Sequence, residues 1–415
     1  MKPSCTERPG VLEVAWPDTE VLIEVTGVRS HTREQRVTGE LVVYRVVDGK
    51  RSHVWRTTHN FLSGRAKSLL VKEMASERFP GPDWKVMVEQ LSEHVLEWVR
   101  RGEEVRILST EQEFTRPEHL LYPVLLKGQP NVVFGEGESA KSIMALVFAL
   151  ILLLPEHEYD LGLTPGQRPV RTLVLDWETT PDEYGWRMQC LQRGLELPYV
   201  EMPYRRCAMP LADDLEQIRK AVVDTRAECI IVDSVAGAAG GDLNTAEVAV
   251  RMFGAIRQLS VSSVLVAHTS KDEQTRRRTI YGSAFFHNYA RQVWYMKRTS
   301  EEDEDEIRVG MFHRKHNNTR AHAPLGFRLE FLEDRTTVER ADVRDSVEML
   351  QEMSVGAKIL DVLRDGALKP ADIRKETGAN DNTVRGELRR LKRKNLVVAL
   401  EDGRYGLPAL AEALT

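Results

Sequence analysis

Apolar and polar residues alternate through much of the first sixty positions, as they do in half-buried β-strands. The alternating runs lie at residues 11–16, 21–25, 39–47 and 53–56. Asp48-Gly49 follows the third run and predicts a hairpin turn. Helical spacing then indicates two helices, 64–78 and 83–101, on either side of a Pro-Gly-Pro breaker. We predict an N-terminal α+β domain over residues 1–105, in which we recognise no chemistry.

Residues 106–128 form a connector, after which apolar runs and helical segments alternate from 129 to 335. The strand runs lie at residues 132–134, 172–175, 229–232, 263–267, 292–296, 307–312 and 327–331. This alternation predicts an α/β core with a mainly parallel sheet and right-handed crossovers. Residues 143–154 are apolar throughout but too short to span a bilayer, which indicates a helix buried on all sides. The acidic run 301–306 is expected at an exposed hairpin tip.

The end of the chain has a different pattern. A polar linker, 336–355, precedes three helical segments and two short apolar strands within 356–415. Gly378 closes the second helix, and the two strands are joined by an Asp-Gly-containing turn. Three helices followed by a two-stranded wing is the layout of a winged helix-turn-helix domain.

Composition narrows the function classes. The 415 residues suffice for two or three domains, and 42% hydrophobic with 29% charged residues is typical of a globular protein. A net charge of −5 argues against coating DNA by overall charge, so DNA contacts are expected in local basic patches. The four cysteines have neither zinc-ligand nor disulfide spacing, and the N-terminus lacks an apolar signal core. We therefore expect a cytoplasmic protein without membrane contact.

One glycine-rich stretch, GEGESAKS, lies between the strand run 132–134 and the apolar helix. Strand, glycine loop and helix in this order predict a phosphate-binding loop, where backbone N–H groups and the helix N-terminus face an anion. Lys141 would reach the outer phosphates of ATP, and the Ser142 hydroxyl would bind Mg²⁺. The expected nucleotide contacts are Gly135, Glu136, Gly137, Glu138, Ser139, Ala140, Lys141, Ser142 and Ile143. Ala140 replaces the usual second glycine, a mild departure provided that its φ is negative.

Two further strands end in carboxylates. One ends at Asp233, as a Walker B strand does, and Asp233 would hold Mg²⁺ through its water shell beside Ser142. The other is followed by Asp176 and Glu178, at the edge where open α/β sheets bind ligands. One of these two acids would orient and polarise an attacking water, and we favour Glu178. The alternative is a helix-capping acid, since a Thr-Thr-Pro run follows.

A third strand ends at His268 and Thr269, either of which could sense the γ-phosphate. A satisfied structural histidine is an equally good interpretation. The loop after this strand is basic, and its candidate DNA contacts are Arg276, Arg277 and Arg278.

The segments GEGESAKS, LVLDWETTPDE, CIIVDS, LVAHTSK and YGSAFFHNYARQVWYMKR together resemble the RecA-like AAA family ATPases related to RepA-type and DnaB-type hexameric helicases. The resemblance covers about residues 120–335. It implies a RecA-like P-loop core that forms a ring with ATP sites between subunits. Under it, Glu178 is the catalytic glutamate and Asp233 the Walker B aspartate. Loops near 236–244 and 272–281 would line the pore.

The same resemblance implies a basic finger that enters the neighbouring subunit's site. Arg314 and Lys315 hold the matching place, and Arg291 is a second candidate. An arginine supplied in this way offsets charge on the transferring phosphoryl group. An ordinary basic strand end is the alternative.

The third helix of the C-terminal segment is strongly basic. Phosphate binding by a helix in a DNA groove requires such local charge, whereas a protein-binding winged helix with a solvated basic face is the alternative. The basic residues are Arg385, Arg389, Arg390, Lys392, Arg393 and Lys394.

The leading hypothesis is an ATP-hydrolysing, ring-forming DNA motor or replication-type helicase that uses ATP and Mg²⁺. Single-stranded DNA would pass through a ring, expected to be a hexamer, and duplex DNA would bind the winged helix. The alternative is an ATP-switched DNA-binding or assembly protein without unwinding activity, with a recombination mediator as a weaker option.

Overall fold

The structure is a computed structural model of the 415-residue chain. It describes residues 2–8, 10–31, 36–101, 107–270, 278–299, 305–317, 321–343, 349 and 352–408. The chain divides into two compact units, Met1–Thr115 with Glu216–Val223 and Arg116–Leu215 with Asp224–Thr415.

The first unit contains five antiparallel strands that are neighbours in chain order. They are β1 (Ser4–Arg8), β2 (Val11–Trp16), β3 (Val21–His31), β4 (Arg36–Val47) and β5 (Lys50–Asn60). Helices α1 (Gly64–Glu73) and α2 (Trp84–Arg101) follow. Alternate strand residues such as Ile23 pack in one core with α2 residues at helical spacing, such as Met87 and Leu91. The strands and helices predicted for this region are present, and β1 is additional.

A nine-stranded sheet dominates the second unit, in the order β11-β10-β12-β13-β8-β14-β15-β16-β17. The strands from β11 to β14 pair in parallel, and β15, β16 and β17 continue the sheet in antiparallel fashion. The sheet strands are β8 (Pro130–Gly135), β10 (Thr172–Asp176), β11 (Tyr204–Arg206), β12 (Cys229–Asp233), β13 (Ser262–His268), β14 (Gln292–Arg298), β15 (Glu306–His316), β16 (Leu325–Phe331) and β17 (Thr336–Ala341). A small separate sheet contains β6 (His119–Tyr122), β7 (Leu125–Leu126) and β9 (Thr164–Pro165).

Each of the seven strand runs predicted for this region lies within an observed strand. The mixed α/β fold with a large, mostly parallel sheet is therefore confirmed. The sheet continues to Ala341, six residues into the segment predicted as a linker. Residues 301–304 of the predicted acidic tip lie outside the described residues, and Glu306 begins β15.

Helices connect the parallel strands. They are α3 (Lys141–Leu153), α4 (Pro181–Gly194), α5 (Leu215–Thr225), α6 (Val235–Ala239), α7 (Ala246–Gln258) and α8 (Ala284–Tyr289). Helix α5 contributes residues to both units. Every residue from 144 to 152 in α3 is at most 1% exposed, so the prediction of a helix buried on all sides is confirmed. Burying this helix anchors the loop at its N-terminus.

The C-terminal part of the second unit contains three helices and two short strands. They are α9 (Val355–Val362), α10 (Pro370–Thr377), α11 (Asp381–Arg393), β18 (Val398–Ala399) and β19 (Tyr405–Gly406). Gly378 ends α10 in the left-handed conformation, as its sequence position predicts. Ile359, Ile373 and Leu388 are the centre of a separate small core. Among the described helices, none combines the length and apolarity needed to cross a membrane.

Candidate active site

Polar groups meet where four neighbouring parallel strands end. The strand register sets Asp176 beside Asp233 and His268 beside Gly135. The Trp177 N–H donates to the Asp233 carbonyl at 2.7 Å, which fixes the turn after β10 against β12. At these strand ends, Glu178, Asp233 and His268 line a cavity of about 340 Å³ together with residues 138–143. The sheet thus gathers the candidate groups at one edge, where α/β sheets bind ligands.

Lys141 lies over the glycine-rich loop. Its ammonium donates to the Glu136 carbonyl oxygen and to Ser139 Oγ, the latter at 3.3 Å. Burial lowers the pKa of Lys141, and the negative charges of Asp233, Glu178 and Glu136 oppose that shift. The ammonium is buried, and the atoms that accept its hydrogen bonds are neutral oxygens. A negatively charged phosphate would form stronger hydrogen bonds with this ammonium and could replace those oxygens.

The two glycines of the loop differ in what they allow. A Cβ at Gly135 would lie 2.4 Å from the Met296 carbonyl oxygen, so this position requires glycine. At Gly137 a Cβ would meet no atom of the described residues within 4 Å. The close packing of β8 against β14 therefore explains why glycine is needed at position 135, where a side chain would meet the β14 main chain.

Ala140 has φ of 57° and ψ of 24°, the left-handed conformation. The sequence predicted that alanine would replace glycine here at little cost, provided that φ was negative. That prediction is wrong, because the loop enters α3 through a left-handed turn at Ala140. The Ala140 carbonyl accepts the N–H of Met144 at 2.9 Å, so the residue already belongs to the helix's hydrogen-bonding pattern. A Cβ in this conformation costs about 1–2 kcal/mol.

Asp233 is only 3% exposed. The neighbouring Ser142 hydroxyl favours the charged form of Asp233 and so opposes a rise of its pKa, whereas Asp233 Oδ1 is buried and meets no hydrogen-bond partner among the described residues. Burial raises the pKa of Asp233 to about 6, with further contributions from Glu178 and Asp176. A buried carboxylate oxygen without a donor, next to a hydroxyl, fits hydrated Mg²⁺, which prefers oxygen ligands and retains water. The described residues contain no cluster of three or more His, Cys, Asp or Glu suited to a metal ion, so water and phosphate would complete the shell.

Asp176 and Glu178 differ sharply in their surroundings. Asp176 is fully buried and accepts hydrogen bonds from the Glu178 and Thr179 N–H groups, the Thr179 hydroxyl and the Tyr204 hydroxyl. Burial would raise the pKa of Asp176, but these hydrogen bonds outweigh it and lower the pKa. Glu178 has a side chain that is 45% exposed and accepts from the Ser234 hydroxyl. Asp176 therefore builds the turn, and Glu178 is the carboxylate that faces the cavity.

His268 and Thr269 contact the site in different ways. His268 Nε2 lies 4.0 Å from Glu178 Oε1, and the ring lines the cavity. Burial and the nearby Lys141 charge lower the pKa of His268, so the imidazole is neutral near pH 7. The Thr269 N–H donates to the Gly135 carbonyl at 3.1 Å. This places the histidine at the cavity and ties the threonine main chain to the loop.

Sequence reasoning missed five residues that line the cavity. They are Arg187, Val266, Arg298, Ile307 and Phe331. Arg187 lies on α4, which starts three residues after Glu178, and its position on that helix was a usable signal. Val266 belongs to β13, whose end was already predicted to line the site. The remaining three come from β14, β15 and β16, whose place beside the loop depends on strand order rather than on a local pattern.

The two finger candidates have partners within their own chain. Arg314 pairs with Glu352, and the two side chains are 9% and 18% exposed. The Lys315 ammonium donates to the His287, Asn288 and Ala290 carbonyls at 2.7–2.9 Å, at the C-terminal end of α8. Both side chains therefore contact residues of their own chain outside the β14–β15 hairpin, and their role in a neighbouring subunit's site stays a prediction. Arg291 is exposed.

The first predicted pore loop ends next to the residues that follow the second, of which residues 272–277 lie outside the described residues. The loop at 236–244 begins with α6, and the Ser283 N–H donates to its Leu243 carbonyl at 2.7 Å. Arg276 and Arg277 lie outside the described residues. Arg278 Nε lies 3.3 Å from Glu136 Oε1, so this predicted DNA contact faces the phosphate loop instead.

Helix α11 presents its basic residues to solvent. Val384, Leu388 and Leu391 are buried at helical spacing, which leaves the opposite face exposed. Arg385 pairs with Asp381 at 2.9 Å and Arg390 with Glu387 at 2.5 Å. Such surface pairs are weak and yield to a competing anion. Arg389, Lys392, Arg393 and Lys394 are also exposed.

Comparison with known proteins supports the nucleotide site. Residues 100–274 match the model of a family described as AAA domain. Among solved structures, a KaiC-like protein from the hyperthermophilic archaeon Pyrococcus horikoshii OT3 is similar at 14% identity and a TM-score of 0.36, over 53% of this chain and 93% of that one. That similarity is too distant to add to the assignment, and no curated protein matches the chain. The matched segment holds the glycine-rich loop, Glu178 and Asp233, and the match supports a P-loop ATPase in this part of the chain.

Proposed function

We propose that the protein is an ATP-hydrolysing, ring-forming DNA motor of the replication-helicase type. The observation that carries the proposal is the set of strand-end groups, in which a buried lysine, a buried aspartate and a solvent-accessible glutamate line one cavity. Phosphoryl transfer needs charge stabilisation and an oriented nucleophile, and these three side chains can supply both.

In the proposed reaction, Lys141 and the loop N–H groups bind the outer phosphates. Glu178 accepts a hydrogen bond from water and aligns it for attack on the γ-phosphate, while Ser234 holds the Glu178 side chain in place. Ser142 and Asp233 would hold Mg²⁺, which supplies charge neutralisation at the phosphates. Asp176 keeps the turn at Glu178 rigid through its four hydrogen bonds. The neutral His268 ring, close to Glu178, is a candidate sensor of the γ-phosphate.

Two features support action on DNA. The Ser283–Leu243 hydrogen bond ties the end of the first predicted pore loop to the residues that follow the second. The C-terminal helices and two-stranded hairpin have the element order of a winged helix, and α11 carries the exposed basic face that duplex binding requires. A ring would bring the pore loops of several subunits around a single strand, and we propose a hexamer.

The alternative is an ATP-switched DNA-binding or assembly protein, such as a regulator or recombination mediator. The internal contacts of Arg314 and Lys315 favour it, because a subunit that contributes no basic finger would hydrolyse ATP slowly. Nucleotide would then set assembly and DNA affinity without strand separation.

ATPase turnover with and without single-stranded DNA, combined with separation of a forked duplex, distinguishes the two functions. A motor shows DNA-stimulated turnover and strand separation, and the Lys141→Ala variant lacks both. A switch shows turnover indifferent to DNA, together with nucleotide-dependent assembly. Failure to bind ATP would refute both functions.

A further inference from the structure

Glu136 makes contacts in two directions. Its main-chain carbonyl lies in the glycine-rich loop, where it accepts hydrogen bonds from the Lys141 ammonium and from Ser139 Oγ. Oε1 of its side-chain carboxylate lies 3.3 Å from Arg278 Nε. One residue thus connects the proposed phosphate site with a segment far along the chain.

Arg278 belongs to a short antiparallel extension of β13, which we call the β13 arm and define as residues 268–270 and 278–281. The Ser270 N–H donates to the Thr279 carbonyl at 3.1 Å, and the Tyr281 N–H donates to the His268 carbonyl at 2.8 Å. Thr269 and Ile280 form a bridge between them. The arm is also bonded to the loop through the Thr269 N–H and the Gly135 carbonyl.

The Glu136–Arg278 pair is only partly shielded, since the Arg278 side chain is 29% and the Glu136 side chain 52% exposed. An ion pair at this exposure is weak on its own and responds to charge placed beside it. Phosphate groups in the loop would bring several negative charges close to Arg278. They would also compete with the Glu136 carbonyl for the Lys141 ammonium.

We propose that Glu136 and Arg278 are positioning residues that couple nucleotide occupancy to the β13 arm. With ATP bound, Arg278 is attracted both by the Glu136 carboxylate and by the negative charge of the phosphates, so the β13 arm stays in contact with the loop. Loss of the γ-phosphate weakens this attraction, and the hydrogen bonds of the arm open more often. The coupling rests on the proposed function only in requiring that the loop binds ATP.

The same loop offers a matched control. Glu138 has the same chemistry two residues later, and its side chain is 91% exposed and 4.0 Å from Arg298. Arg298 lies at the end of β14 and not on the β13 arm. Removing the Glu138 charge therefore tests whether any carboxylate of the loop produces the effect.

Hydrogen exchange at the Ser270 and Tyr281 amides measures how often the hydrogen bonds of the β13 arm open. The exchange is measured with and without a saturating non-hydrolysable ATP analogue and Mg²⁺. Saturation is set for each variant with a fluorescent ATP analogue. In the unmodified protein we expect the nucleotide to slow exchange at both amides at least five-fold. Glu136→Gln and Arg278→Gln abolish this slowing, whereas Arg278→Lys retains part of it and Glu138→Gln retains all of it.

The coupling is overturned if Glu136→Gln at saturating nucleotide slows exchange as much as the unmodified protein does. It is also overturned if the unmodified protein binds the analogue without any change at Ser270. A protein that does not bind the analogue refutes the proposed function itself, and the binding assay identifies that case separately.

Discussion

The cavity at the strand ends and the hairpin formed by β14 and β15 both contain charged side chains with little exposure to solvent. In the cavity, Asp233 has a buried oxygen without a donor among the described residues. In the hairpin, Arg314 pairs with Glu352 and Lys315 donates to three carbonyls. Burying a charge without a partner is costly, so such a group is expected where a ligand supplies the partner. A buried charge with a partner in its own chain therefore indicates a structural role, whereas a buried charge without one indicates a ligand-binding role.

The largest effect that this comparison predicts is on catalysis. Lys141→Ala removes the ammonium from the phosphate loop, and we expect ATP turnover to fall at least about 10³-fold. Its folding stability should change little or rise, because a desolvated charge is removed. Steady-state phosphate release and urea denaturation measure the two effects. An unfolded or fully active variant would contradict the assignment of Lys141 to the ligand.

Substitutions in the β14–β15 hairpin should lower folding stability instead of catalysis. Arg314→Gln leaves the mainly buried Glu352 with Lys297, whose Nζ lies 3.4 Å away, and we expect a loss of about 1–3 kcal/mol in the free energy of unfolding. Glu352→Gln should cost a similar amount, and the double variant less than the sum of the two. Additive losses in urea denaturation would show that the pair does not interact.

If Arg314 instead acted in the ATP site of a neighbouring subunit, mixing two inactive variants would restore ATPase activity. Arg314→Gln protein mixed with Glu178→Gln protein would then regain activity, since each would supply what the other lacks. We expect no rescue at any ratio, because Arg314 is engaged within its own subunit.

The sequence was sufficient to place the glycine-rich loop, Asp233 and Glu178 at one edge of the sheet, because each lies at or just after the end of a strongly apolar strand. The sequence could not place Arg314, since its partner Glu352 lies beyond two further strands and no local pattern links the two residues. The left-handed φ of Ala140 was equally hidden, because an alanine carries no signal for that conformation. Ile307 and Phe331 reach the cavity only through the order of the antiparallel strands.

The pH dependence of stability should differ in sign between the two regions. The pKa of Asp233, raised by burial to about 6, exceeds its ordinary value of 3.8, so the folded state binds more protons between these values and stability falls as pH rises. Burial and the neighbouring His322 lower the pKa of His313 from 6.5 to about 3. The unfolded state then binds more protons, and the stability that His313 contributes above pH 6.5 is lost as pH falls.

Substitutions resolve these two contributions. Asp233→Asn should be more stable than the unmodified protein by about 2 kcal/mol at pH 7 and lose that advantage towards pH 4. His313→Gln should reduce the acid sensitivity between pH 6.5 and pH 4, by at most about 1.4 kcal/mol per pH unit. Urea denaturation across this range measures both, and pH profiles parallel to that of the unmodified protein would contradict the assignments.

The smallest predicted effect concerns the loop itself. Ala140→Gly should stabilise the protein by about 1 kcal/mol, because glycine adopts the left-handed conformation without a Cβ penalty. Ala149→Gly in the interior of α3 is the matched control and should destabilise by about 1 kcal/mol or more. Destabilisation by Ala140→Gly would show that the turn is not strained.

Single-turnover ATP hydrolysis by the Glu178→Gln variant is the sharpest test of the proposed reaction, because among the described strand-end carboxylates Glu178 has both an exposed side chain and a place in the cavity. We expect this variant to bind a fluorescent ATP analogue with nearly unchanged affinity. We also expect its hydrolysis to be slowed about 10²–10⁴-fold. Hydrolysis at the unmodified rate would show that Glu178 does not act in the reaction.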